Sequence, residues 1–197
     1  MNRRISRRSA LKGGVICCST AVLGSSLLAR LVNADEPSMN DNALYINGLA
    51  EALRATGNAV CVKEADRLQT SSRSTSTLNL HLRQAGLNVR DAVLIAEGMR
   101  DDTNRVIGSI QSFSVSYNQE LEDAGVIALV NSFPPTLTEA GMVDCGIGDE
   151  GGDAIFNWAK NSVALRMVCI ERNNFSQGMR ARFRALGDER KDLFIVV

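Results

Sequence analysis

The sequence predicts an α/β fold in which strand–turn–helix units repeat along the chain, and three observations predict it. Ile110–Asn118, Leu137–Cys145 and Leu165–Asn173 align with apolar residues at their first, fourth and sixth positions and Asn or Cys at the ninth. Their ninth positions, Asn118, Cys145 and Asn173, are evenly spaced to within one position. An aliphatic residue and an aspartate follow the strand (Leu121 and Asp123, Ile147 and Asp149), and apolar residues then recur at helical spacing. Ala154, Ile155, Trp158 and Ala159 do so clearly, Ala124, Ile127, Ala128 and Val130 more loosely. Such a period marks stacked units, each of which buries its apolar face only against its neighbours.

Taken in order, Asp41–Arg54 reads as a helix with apolar residues at Leu44, Ile46, Leu49 and Leu53, ended by Gly57 and Asn58. Ala59–Val62 reads as a short strand. Gln69–Thr77 is polar and of low complexity, which suits a surface loop. Residues 35–76 therefore read as an N-terminal cap or a degenerate first repeat with a polar link. Thr77–Ala85 is a poorer copy of the repeat, separated from the next by a longer interval, and is followed by Leu87 and Asp91. Asp91, Asp123 and Asp149 are each expected to cap the helix they open, by accepting from its free first-turn N–H groups. After Asn173, Phe175 takes the apolar place and Ser176 the capping place. Leu193–Val197 is expected as a last strand sealing the end.

These units resemble leucine-rich repeats of the ribonuclease-inhibitor type, in which a strand L-x-x-L-x-L-x-x-N/C alternates with a helix at this period. The resemblance is good from Ile110 to Phe175, fair from Thr77 to Val197, and absent before; Thr77, Ala85 and Ala140 depart from the pattern. It implies an α/β right-handed solenoid over residues 77–197, with parallel strands on the concave face and helices on the convex face. By analogy it also implies protein–protein binding rather than catalysis. Strand alternation sends the third, fifth, seventh and eighth positions of each unit to the concave face or its rim. The candidate protein-binding residues there are His81, Arg83, Ser114, Tyr117, Asp144, Glu171 and Arg172. Tyr117 and Arg172 are the expected anchors, because Tyr and Arg combine contact area with directional hydrogen bonds.

Ser6–Lys12, with Arg7 and Arg8, resembles a bacterial twin-arginine export signal, although Ala10 stands where Phe is usual. A weakly apolar stretch to Ala29 and the small residues of Val32–Ala34 make residues 1–34 a signal peptide, cleaved ahead of Asp35. The expected location is periplasmic or extracellular, with the membrane met only through the signal. Of the 22 basic residues six fall in this segment, and of the 22 acidic residues none does. The remainder is therefore acidic and lacks a basic tract, which argues against nucleic acid. Cys61, Cys145 and Cys169 also remain, an odd number with no CxxC pair. The repeat places Cys145 inward and Cys169 outward, so no bridge between them is expected. His81, the single histidine, argues against a histidine-rich metal site and a catalytic triad.

One motif points elsewhere. Gly146, Gly148 and Gly151 form G-x-G-x-x-G between an apolar segment and a helix, with Glu171 twenty positions on, as in a dinucleotide-binding loop. Against that, Asp149 and Glu150 place two carboxylates where an anion would sit. The stretch from Gly151 to Val197 is also too short for the remaining strands of a dinucleotide fold. The leading expectation is an exported, non-enzymatic binding protein with no cofactor. The alternative is an exported nucleotide- or NAD-binding enzyme using Gly146–Gly151.

Overall fold

A computed structural model of the chain describes residues 39–71, 78–100 and 110–197. The predicted export signal, most of the polar link and Thr77 lie outside the described residues. The described chain is α/β. Helices α1 (Met39–Ala55) and α2 (Ala59–Ser71) precede β1 (Leu78–His81), α3 (Val89–Gly98) and β2 (Ile110–Ser114). A 3-10 turn (Gln119–Leu121) leads into α4 (Glu122–Val130), followed by β3 (Glu139–Gly141), α5 (Asp149–Asn161), β4 (Met167–Cys169), α6 (Gln177–Glu189) and β5 (Phe194–Val196). The five strands form one parallel sheet in the order β1-β2-β3-β4-β5. Each strand pairs with its sequence neighbours, and parallel pairs need the intervening helices as crossovers.

The predicted inward positions form the core. Ile110, Phe113, Val115, Leu137, Ala140, Met142, Leu165, Val168 and Ile170 are all buried. So are the aliphatic residues at the turns, Leu87, Leu121 and Ile147, with Phe175 in the last turn. One apolar cluster runs from Tyr45 to Leu193. In the first unit Leu78, rather than Thr77, pairs with Ile110 and is buried, and the register shifts between Leu78 and Asn79. The first apolar position of this unit is therefore taken by Leu78.

Two expectations about the N-terminal part are corrected. Ala59–Val62 opens α2 and is not a strand. Asn58 Oδ1 accepts from the Val60 and Cys61 N–H groups at 2.9 and 3.4 Å, which is helix capping. Cys61, Ala65 and Leu68 then face the core at i, i+4 and i+7. Leu44 is 63% exposed; the buried face of α1 is Tyr45, Ile46, Leu49, Ala50 and Leu53. Five positions before Leu49, Leu44 stands roughly 140° round the helix from it, off that face.

Candidate binding face

The sheet's ladder continues past the strands to the eighth position of the first three units. Gln84 N–H donates to Ser116 O at 2.9 Å, Tyr117 N–H to Val143 O at 2.7 Å, and Asp144 N–H to Glu171 O at 3.1 Å. At that position the chain turns into left-handed backbone in all four units: Gln84 (φ 53°), Tyr117 (67°), Asp144 (54°) and Arg172 (64°). None of the four is glycine, although a side chain in this conformation costs about 1–2 kcal/mol. Ladder and turn together line these side chains up along one rim of the sheet.

Three of the predicted binding residues meet at Tyr117. The Arg83 guanidinium lies 5.3 Å from the ring centroid and that of Arg172 5.9 Å, within the range of cation–π attraction. Arg172 also pairs with Asp144 at 3.3 Å, and Asp144 accepts from Gln119 Nε2 at 3.0 Å. Tyr117 is 37% exposed, so the stack is formed yet open. Sequence reading missed Gln119, whose contact with Asp144 joins two separate units.

The outward side chains of the strands form two rows. The first runs Asn79, Ser112, Glu139, Met167, Phe194, and the second His81, Ser114, Gly141, Cys169, Val196. His81 Nε2 and Ser112 Oγ are 3.0 Å apart, and Ser114 Oγ and Ser116 Oγ 3.2 Å apart. The seventh positions do not all belong to this face. Arg83 is exposed and Glu171 half-buried, but Ser116 and Val143 are buried. The alternation ends because the chain is already turning, and Ser116 Oγ accepts from the Val143 N–H instead of facing solvent. Phe194, 63% exposed, carries the face onto β5. The aligned repeats do not include it, although it stands one repeat period after Met167.

The glycine loop has an anion of its own. Asp123 Oδ1 accepts from the Gly148 and Gly151 N–H groups at 2.7 and 2.9 Å, at the start of α5. A Cβ on Gly151 would lie 2.7 Å from that oxygen and 2.6 Å from Ile147 Cγ2. Gly146 has φ +73°, and a Cβ there would lie 2.4 Å from Gln119 O. Contact with the neighbouring unit therefore accounts for the glycines.

The expected aspartate caps are corrected at the same time. Asp123 caps the helix of the next unit, not its own. Asp149 likewise reaches forward, accepting from Ser176 N–H at 2.8 Å. Bonds from the Ser176 side chain and backbone hold the Asp149 carboxyl below its ordinary pKa. Asp91 does serve its own helix, but as the third residue of a capping box in which Asn88 is the cap. Ser176 caps α6 as expected, accepting from Met179 N–H at 3.1 Å.

Cys61, Cys145 and Cys169 are free thiols. Burial raises the pKa of each, pushing Cys145 to about 11, while the charges of Glu171 and Glu139 add to the rise at Cys169. Cys145 is fully buried and Cys169 half-buried, so the two face opposite sides as the repeat register requires. Among the described residues no group of three His, Cys, Asp or Glu side chains could hold a metal ion. None of their helices is long and apolar enough to cross a membrane. No protein-family model matches the chain, and no curated protein matches it.

Proposed function

We propose that this chain is an exported, non-enzymatic leucine-rich-repeat protein, a right-handed solenoid that binds another protein through its concave strand face. The observation that carries this reading is the rim row of Gln84, Tyr117, Asp144 and Arg172. Each keeps a side chain in backbone that glycine would adopt without strain. Arg83, Tyr117 and Arg172 form an aromatic–cation cluster on that rim, the composition that dominates binding energy at protein interfaces. Buried Asn118 and Asn173, bonding the turns of preceding units, support the solenoid part of the reading. The NAD-binding alternative loses its main support, because Asp123 uses two of the loop's N–H donors.

The test is capture of the partner from the native cell envelope. Tyr117→Ala together with Arg172→Ala is expected to weaken capture at least tenfold, since hot-spot truncations each cost about 2 kcal/mol or more. Thermal stability should stay close to the parent's, because both side chains are exposed. Undiminished capture by a folded double variant removes the rim from the binding site.

Export rests on the resemblance of Ser6–Lys12 to a twin-arginine signal. Replacing Arg7 and Arg8 together by Lys should leave the unprocessed chain in the cytoplasm. Processing and export of that variant at the parental rate would rule this route out.

A further inference from the structure

We infer that the C-terminal half of the outward sheet face receives a protein segment presenting a lysine or arginine beside an apolar side chain. This rests on the binding-face reading above and adds the chemistry of the partner. Two carboxylates on this part of the face have no cation partner among the described residues. Glu139 is exposed on β3, and Glu171 keeps its Oε2 buried with no donor from the protein. The nearest cation along the chain, Arg172, is drawn away to Asp144 at 3.3 Å and to the Tyr117 ring. Both carboxylates act on one point between them: after burial, it is the charges of Glu171 and Glu139 that raise the Cys169 pKa.

The apolar part lies alongside. Glu139 aligns with Met167, and Met167 with Phe194, so the first outward row runs from a carboxylate onto two exposed apolar side chains. Met167 is 39% and Phe194 63% exposed. In the second row Gly141 aligns with Cys169, and the space a Gly141 side chain would take is occupied by the Ser114 and Ser116 hydroxyls. A lysine or arginine suits both parts, its methylene stem on Met167 and Phe194 and its cationic head at exposed Glu139, with the charge of Glu171 adding to the attraction. A purely apolar segment would desolvate two carboxylates without pairing them, which is costly. An acidic segment would be repelled.

Two labelled synthetic peptides test this with the full chain. They are identical except that a central residue between two leucines is Lys in one and Glu in the other. Fluorescence anisotropy at low salt should show the Lys peptide binding about tenfold more tightly. The preference should vanish in Glu139→Gln/Glu171→Gln and reverse in Glu139→Lys/Glu171→Lys, with all three proteins melting alike. Equal binding of the two peptides, or a Lys preference that survives the Gln pair, overturns the proposal. So does sedimentation showing that the parent self-associates and the Gln pair does not, which assigns the face to a second copy of the chain. Failure of the binding-face reading is distinguishable, because partner capture then survives Tyr117→Ala/Arg172→Ala. If only the present inference fails, capture falls in that variant and is unchanged in the Gln pair.

Discussion

Asn173 satisfies four backbone groups at once. Its Oδ1 accepts from Cys145 and Ile147 N–H at 2.9 and 3.2 Å, and its Nδ2 donates to Met142 O and Ile170 O, both at 2.8 Å. Asn118 does similar work two units earlier, accepting from Leu87 N–H and donating to Leu82 O and Val115 O. Between them stands Cys145, whose thiol donates to Val115 O and Val143 O but offers no comparable acceptor. The turn facing Cys145 is the one that tightens into the 3-10 turn Gln119–Leu121, where Leu121 N–H bonds Asn118 O within the turn itself. One Asn-to-Cys change in the repeat thus accompanies the change in turn geometry, because buried N–H groups must find acceptors. Asp123 supplies the same need for α5, whose own N-cap residue is Gly148 and has no side chain to offer. Asp123→Ala should therefore lower stability by about 0.5–2 kcal/mol, read as a lower urea midpoint with an unchanged m-value. Asp123→Asn, which keeps an acceptor, should recover most of the loss. A midpoint equal to the parent's in the Ala variant would show that water replaces the carboxylate without cost.

At the scale of elements, what the sequence revealed and what it hid divide along a physical line. Strand positions and turn residues were legible because the repeat fixes them in one dimension: the same apolar spacing recurs and each copy corroborates the others. The last strand was legible from its apolar run, and β5 pairs with β4 where expected. Helix α2 was not, because Ala59, Val60, Cys61 and Val62 are apolar or β-branched and resemble a strand over so short a stretch. The deciding feature is the Asn58 cap, which sets Cys61, Ala65 and Leu68 on one face. Asp91 serves its own helix as expected from its place, but Asp123 and Asp149 reach the next unit, since their partners lie a whole repeat further along the chain. The candidate site follows the same division. Alternation named Arg83, Tyr117 and Arg172 separately, while their meeting at one ring joins three different units. The unpaired state of Glu171 depends on where Arg172 goes, and no spacing along the chain encodes that.

At the scale of the whole molecule, each strand pairs only with its sequence neighbours, so the two ends of the sheet carry different demands. At the N-terminal end, α1 packs on α2 and α3 and buries Tyr45, Ile46, Leu49, Ala50 and Leu53. Helix α2 adds Cys61, Ala65 and Leu68, and Arg67 donates to the Asn79 carbonyl of β1. Without these helices the apolar side of the first unit, including Leu80, Leu82 and Ile95, would lose its cover. Burying one such side chain is worth about 1.5–3 kcal/mol, and a domain is held by only about 5–15 kcal/mol in total. Removing α1 and α2 is thus expected to cost more than the remaining units can supply. A chain beginning at Thr77 should lose its cooperative thermal transition and bind the apolar dye ANS, whereas one beginning at Asp35 should melt like the full protein. The rim cluster should be lost with the fold, although Arg83, Tyr117 and Arg172 all lie beyond the deletion. Calorimetry and dye fluorescence on the two shortened chains decide the matter. A cooperative transition near the parental temperature in the shorter chain would mean that the repeats stand without their N-terminal helices.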